Sequence, residues 1–170
     1  MAKNDAMDIL AEAREKAEFI EKNRWIYKNS GTKTSFSAAK KVKYCNCSAY
    51  VCYILQALKI LKPGQMFYGN RLRGITYRGT GTKEAVKRHF HIIKVGRTAT
   101  EYANRLKPGD ICCYTNHTCI YAGSNERGLI WWDAGKAATR TGKSGSHFVK
   151  IHRAQRLRGQ KINYILRLRG

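Results

Sequence analysis

At residue 110 the chain changes character, and that change limits the folds open to it. Up to the turn KPGD at 107–110, most apolar residues recur at helical spacing. Beyond it, residues 111–115 (ICCYT), 117–122 (HTCIYA), 129–133 (LIWWD), 147–151 (HFVKI) and 162–168 (INYILRL) are short β-rich runs separated by turn residues. Helices first and consecutive strands afterwards predict an α+β domain, with N-terminal helices packed on a central antiparallel sheet. A length of 170 residues fits one domain spanning 1–170 with its own core.

The first half resolves into segments. Residues 4–23 place Ala6, Ile9, Leu10, Ala13, Ala17 and Ile20 on one helical face behind an Asn4 or Asp5 cap. Residues 28–43 (KNSGTKTSFSAAKKVK) have no clear period and read as a loop. A second helix starts at Cys47, carries Val51, Ile54, Leu55 and Leu58 as a stripe, and is stopped by KPG at 62–64. Residues 65–81, aromatic and punctuated by glycine, read as an irregular surface excursion. A short helix at 82–90, a strand at 91–95 and a Thr-capped helix at 98–106 complete this half.

Charge narrows the partners. The formal charge of +22, from 33 basic and 11 acidic side chains, calls for a polyanionic partner or environment. Asp5, Asp8, Glu12, Glu15, Glu18 and Glu21 crowd the first helix, so the rest of the chain is more basic still. Nucleic acid, anionic membranes and phosphate-rich bacterial walls all satisfy that field. No run reaches the roughly 18 apolar residues of a membrane span, and acids stand where a signal peptide would be apolar. The expectation is therefore synthesis in the cytoplasm with no signal peptide and no transmembrane segment.

The six cysteines (45, 47, 52, 112, 113, 119) occur as C-x-C and C-C neighbours that suit no small secreted framework, and reduced thiols are expected. Structural zinc takes pairs spaced by two to four residues, so no metal is expected. Cys47 is placed to be a reagent, because free N–H groups and the dipole at a helix start lower a thiol pKa. Cys52, between Val51 and Tyr53, reads as a small buried hydrophobe, and Cys45 is either exposed or packed. A thiolate needs an imidazole as base and acid and a third polar group to orient it. His117 opens HTCIYAGSNERGLIWWD, a hairpin whose symmetric pairing about Asn125 sets His117 opposite Asp133, while a one-residue slip brings Trp132 or Ala134 there. His89, His91, His147 and His152 have no placed partner and read as surface or packing residues. Trp131 and Trp132 face opposite sides of one strand, one in the core and one on a cleft, and Trp131 is assigned to the cleft.

These residues carry a resemblance. NCSAYV at 46–51 is similar to the D-C-S-G-F-V box of the NlpC/P60 cysteine peptidases. LKPGDICCYTNHTCIYAG at 106–123 is similar to that family's L-K-P-G-D-L-x-F-F … H-V-G-I-Y-x-G segment, and WWDAG follows with the third polar residue. The resemblance implies a papain-like fold, no cofactor and cleavage of amide bonds in bacterial peptidoglycan. It implies Cys47 as nucleophile, His117 as base and then acid, Asp133 as orienting group, and Tyr27 as a tyrosine hydrogen-bonding beside the nucleophile. The backbone N–H groups of Cys47 and Ser48 would meet the oxyanion, which puts Ser48 with Tyr27 and Trp131 among the substrate-binding residues. Asn46 and Ala49 depart from the family's Asp and Gly without removing a reacting atom. The third group is more often His, Asn or Gln in that family.

On this reading the partners are peptidoglycan and anionic wall polymers, with no specific nucleic acid, and the setting is a phage or prophage lysin, with a tail-attached enzyme or a toxin exported by another route fitting as well. Endopeptidase and N-acetylmuramoyl-L-alanine amidase, as in the related CHAP group, stay open. The rival from another class is a nucleic-acid-binding module whose charge is its function, with FYGNRLRGITYRG as the stretch that interleaves aromatic and basic residues. The basic tracts KKVKY, NRLRG and RAQRLRGQK otherwise read as solvated faces.

Overall fold

The chain is seen in a computed structural model that describes residues 3–135, 150–153 and 159–170, with 150–153 described through their backbone. The first part of the strand expected at 147–151, His147, the side chain of His152 and most of the RAQRLRGQK tract lie outside the described residues.

Helix α1 (Ala6–Lys22) starts at a reciprocal cap, where the Asp5 side chain accepts the Asp8 N–H and the Asp8 side chain accepts the Asp5 N–H. Its inner face buries Ile9, Ala13, Ala17 and Ile20. The short strand β1 (Ile26–Tyr27) pairs in parallel with β2 (Tyr44–Cys45). Between them lies α2 (Phe36–Val42), where sequence had predicted a loop. Ser35 caps it through the Ala38 N–H, and Phe36 stacks 5.4 Å from Trp25, so tertiary packing rather than periodicity makes this helix. Helix α3 (Cys47–Ala57) is buried from Cys47 to Leu55 on every side, as a central helix must be, and the Tyr50 hydroxyl donates to Ala13 O at 2.6 Å to tie it to α1.

Residues 66–78, expected to be irregular, form a hairpin of β3 (Met66–Gly69) and β4 (Ile75–Arg78). The Asn70 side chain closes it, accepting the N–H groups of Leu72 and Gly74. Helix α4 (Thr82–His89), strand β5 (Phe90–Thr98) and the short α5 (Ala99–Tyr102) with its 3-10 turn follow. Then come β6 (Ile111–Tyr114), β7 (His117–Asn125), β8 (Gly128–Asp133), β9 (Lys150–Arg153) and β10 (Lys161–Leu168). Six strands make one antiparallel sheet in the order β5-β10-β6-β7-β8-β9. The molecule is thus of the α+β class, and no helix among the described residues is long and apolar enough to cross a membrane.

Alternation along the strands sends two sets of side chains to opposite faces. Ile111, Cys113, Ile120, Trp132 and Leu166 join the core built on α3 and α1. Cys112, Tyr114, Cys119, Tyr121, Trp131, Ile162 and Ile165 form a second cluster, with Ala99 and Leu106. The aspartate of KPGD has a structural place. Asp110, 1% exposed, accepts two hydrogen bonds from the Arg167 guanidinium at 2.8 and 2.6 Å, which fixes β10 beside the entry to β6.

Candidate active site

Cys47 is the first residue of α3 because Asn46 caps that helix, with an extended backbone and a side-chain oxygen that accepts the Ala49 N–H at 2.9 Å. The Ser48 hydroxyl donates to the same oxygen at 3.1 Å, so it is spent on the cap, and only the Ser48 backbone N–H remains at the positive end of the helix.

His117 opens β7 and Asp133 closes β8, and His117 Nε2 lies 2.9 Å from Asp133 Oδ1. The two atoms form a close charge pair rather than an aligned hydrogen bond. The register that brings them together differs from the symmetric one. The turn is at Glu126–Arg127, a bulge intervenes between Tyr121 and Gly123, and Tyr121 pairs with Trp131. Continued inward, that register sets Asp133 level with Cys119, two residues from His117. An even shift keeps both side chains on one face, and a diagonal neighbour is within reach of an imidazole and a carboxylate.

The sulfur completes the set. Cys47 and His117 line the same cleft, and the imidazole and the Thr118 backbone both act on the sulfur. Because Nε2 faces Asp133, Nδ1 is the ring nitrogen left for the sulfur. Burial raises the Cys47 thiol, but the hydrogen bond and charge of His117 and the Thr118 backbone outweigh it, and the thiol is held below its ordinary value. Burial lowers the His117 imidazole, but the close contact and negative charge of Asp133, and those of Cys47, outweigh that, so it is raised. Both shifts favour a thiolate–imidazolium pair. The other five thiols have no such partner and are fully buried, and Cys45 and Cys52 are raised by desolvation. Cys45 is thus packed, and Cys52 is bonded to the backbone of Phe67 in the core.

Tyr27, on β1, also reaches Cys47. Burial, followed by the neighbouring Cys47, raises its hydroxyl above the ordinary value. Trp131 is elsewhere. It is 1% exposed in the second cluster, edge-on to Tyr121 at 5.2 Å between ring centroids, while Trp132 belongs to the main core, so neither indole lines the cleft. Both faces of β8 are covered here, so the assignment of Trp131 to a substrate wall is corrected.

The cleft holds about 490 Å³ and opens over Cys47 and His117. Asn29, Thr32 and Thr34 line it from the segment after β1, Asn46 and Ser48 from the start of α3, Asn116 from the β6–β7 turn and Thr118 from the start of β7. The β3–β4 hairpin forms the remaining wall through Met66, Phe67, Tyr68, Gly69 and Arg78. Sequence reasoning missed this wall, although a glycine inside a β pattern signals a close backbone approach. A Cβ on Gly69 would stand 2.2 Å from Tyr114 O and 3.1 Å from His117 O, and the Gly69 N–H donates to Thr118 Oγ1 at 3.3 Å. The same hairpin is the stretch that a nucleic-acid reading would use as a stacking platform. Phe67 is fully buried in it and Tyr77 packs against the core, so those rings are not presented together on one surface.

Compared with protein-family models, curated proteins and solved structures, the chain matches none of them. Geometry alone then defines the class: an α+β domain with a cysteine at a helix start and, on two adjacent antiparallel strands, a histidine and an aspartate in contact.

Proposed function

We infer that the protein is a cysteine-dependent hydrolase of amide bonds in bacterial peptidoglycan, a divergent relative of the papain-like NlpC/P60 enzymes in fold and mechanism. The observation that carries this reading is the meeting of Cys47 and His117 at the floor of an open cleft, with Asp133 and Tyr27 against them from behind. A merely structural cysteine has no need of a charged ring, a carboxylate behind it and solvent access in front.

The Cys47 thiolate attacks the carbonyl carbon of the bound amide, forming a C–S bond while the carbonyl π pair moves to oxygen. The Cys47 N–H at the helix start and the Tyr27 hydroxyl stabilise that oxyanion. The His117 imidazolium gives its proton to the departing nitrogen, the C–N bond breaks, and a thioester remains on Cys47. The neutral ring then takes a proton from water as its oxygen attacks the thioester, and release of the acid returns the thiolate–imidazolium pair. Asp133 holds the ring in orientation and stabilises its charged form. A lysin meeting a wall rich in anionic polymers is the setting that fits a charge of +22.

Purified peptidoglycan incubated with the protein should release new amino groups, and Cys47→Ala should lose that release by about a thousandfold or more. Fragment masses then assign the bond, separating an endopeptidase from an N-acetylmuramoyl-L-alanine amidase. Tight DNA binding in a gel shift by both proteins, with no wall cleavage by either, would favour the binding module instead.

A further inference from the structure

The cleft walls are chemically lopsided. Asn29, Thr32, Thr34 and Asn116 are neutral hydrogen-bonding groups, Met66 and Phe67 are apolar, and no acid lines the cleft among the described residues. A thiolate–imidazolium pair is neutral in sum, and the Asp133 carboxylate is buried behind the ring rather than on the cleft wall. That leaves Arg78, the last residue of β4, as the one charged side chain on the cleft wall among the described residues. On a chain with 33 basic and 11 acidic residues an arginine without an acidic partner is ordinary, so its pairing state alone says nothing. Its place does. Arg78 has no ion-pair partner among the described residues, is exposed, and sits on a strand held by backbone pairing to Met66. A guanidinium on a fixed backbone presents a planar fork that fits a carboxylate with two hydrogen bonds, which an ammonium does not.

We propose that Arg78 selects substrates by binding a carboxylate that flanks the scissile amide. This deepens the hydrolase reading and rests on it for the word substrate. The hairpin register locates the group. Gly69, opposite Ile75, is the end that packs against the His117 strand, whereas Arg78 pairs with Met66 at the other end. Three residue steps of about 3.3 Å set the two ends about 10 Å apart. The carboxylate therefore belongs to a neighbouring residue of the peptide and not to the amide being cut. A wall peptide whose flanking carboxylate is amidated would be a poor ligand.

The test separates binding from turnover. Cys47→Ala protein is titrated by calorimetry with a synthetic stem peptide and with analogues in which each carboxylate in turn is a carboxamide. One analogue should bind about fivefold weaker or more, the scale of a solvent-accessible charged pair. Adding Arg78→Gln should abolish that difference, and Arg78→Lys should restore part of it. Equal binding of every peptide by the Cys47→Ala protein, the same difference persisting in Arg78→Gln, or no binding of any peptide would overturn the proposal. Cleavage by the unmodified protein is read in parallel: discrimination without cleavage sinks the hydrolase reading alone, and cleavage without discrimination sinks the role of Arg78 alone.

Discussion

Burial pushes the Cys47 thiol up and the His117 imidazole down, which left to itself would keep both groups neutral. The contacts at the site reverse both tendencies, and Asp133 is the contact that does most for the ring. This gives the pH dependence its sign. On the proposed mechanism, activity should rise with pH as the pair gives up its first proton, because the thiol is held below its ordinary value, and fall as the raised imidazolium loses its proton at higher pH. In Asp133→Asn the ring loses its carboxylate, so the alkaline limb of kcat/KM should move to lower pH. The charge of Asp133 acts on Cys47 in the opposite sense and is a smaller influence there, so the acid limb should move little. At neutral pH, kcat/KM should fall by about a hundredfold. An alkaline limb that stays in place would remove Asp133 from the mechanism. At this scale Cys47 was legible because the apolar run begins with it, which marks a helix start. His117 and Asp133 were legible because their shared face survives an even slip of register. Trp131 was not, since alternation separates two faces without saying whether either meets solvent.

Elements decide where those residues stand, and the β3–β4 hairpin is the clearest case. It is pressed so closely on β6 and β7 that Gly69 has no room for a side chain, its would-be Cβ meeting the backbone oxygen of Tyr114 at 2.2 Å. Backbone cannot yield as a flexible side chain can, so Gly69→Ala should force the hairpin outward. The overpacking should cost about 2 kcal/mol in urea denaturation. Because the hairpin carries one wall of the cleft, kcat/KM should fall as well, chiefly through KM as substrate contacts are displaced. Full activity with unchanged stability would mean that this wall does not contribute. The hairpin escaped notice in sequence because NRLRG at its tip is basic and Gly-rich, and only the Asn70 side chain, bonded to two backbone N–H groups, turns it into a fixed loop. Helix α2 escaped for a related reason. Its Ser-rich and Lys-rich sequence has little period, and it forms because Phe36 is held between Trp25, Phe19 and Tyr53. Helix α3 and the strands β6, β7, β8 and β10 were legible because each carries enough apolar residues to require burial whatever surrounds it.

Across the whole molecule, the passage from helices to strands was readable, whereas the order β5-β10-β6-β7-β8-β9 was not. Placing β5 beside β10 needs a pairing between residues about seventy positions apart, and no local pattern encodes such a partner. Charge is the other property of the whole. Five of the eleven acids lie on α1 and a sixth, Asp5, caps it, so the field outside that helix is more positive than the net figure conveys. Such a field acts through solvent over about a Debye length and weakens as salt shortens it. Contacts inside the cleft, being short and partly desolvated, are screened far less. The two contributions can therefore be separated with one catalytically silent protein. Cys47→Ala should sediment with purified walls at low ionic strength, and the bound fraction should fall steeply between about 0.05 and 0.5 M salt. Walls stripped of their phosphate polymers should hold much less of it at low salt, while a soluble stem peptide should lose no more than the roughly fivefold that its exposed pair with Arg78 contributes. Wall binding that ignores salt would mean that the positive charge does not concentrate the protein on its target, and the cleft alone would then have to account for recognition.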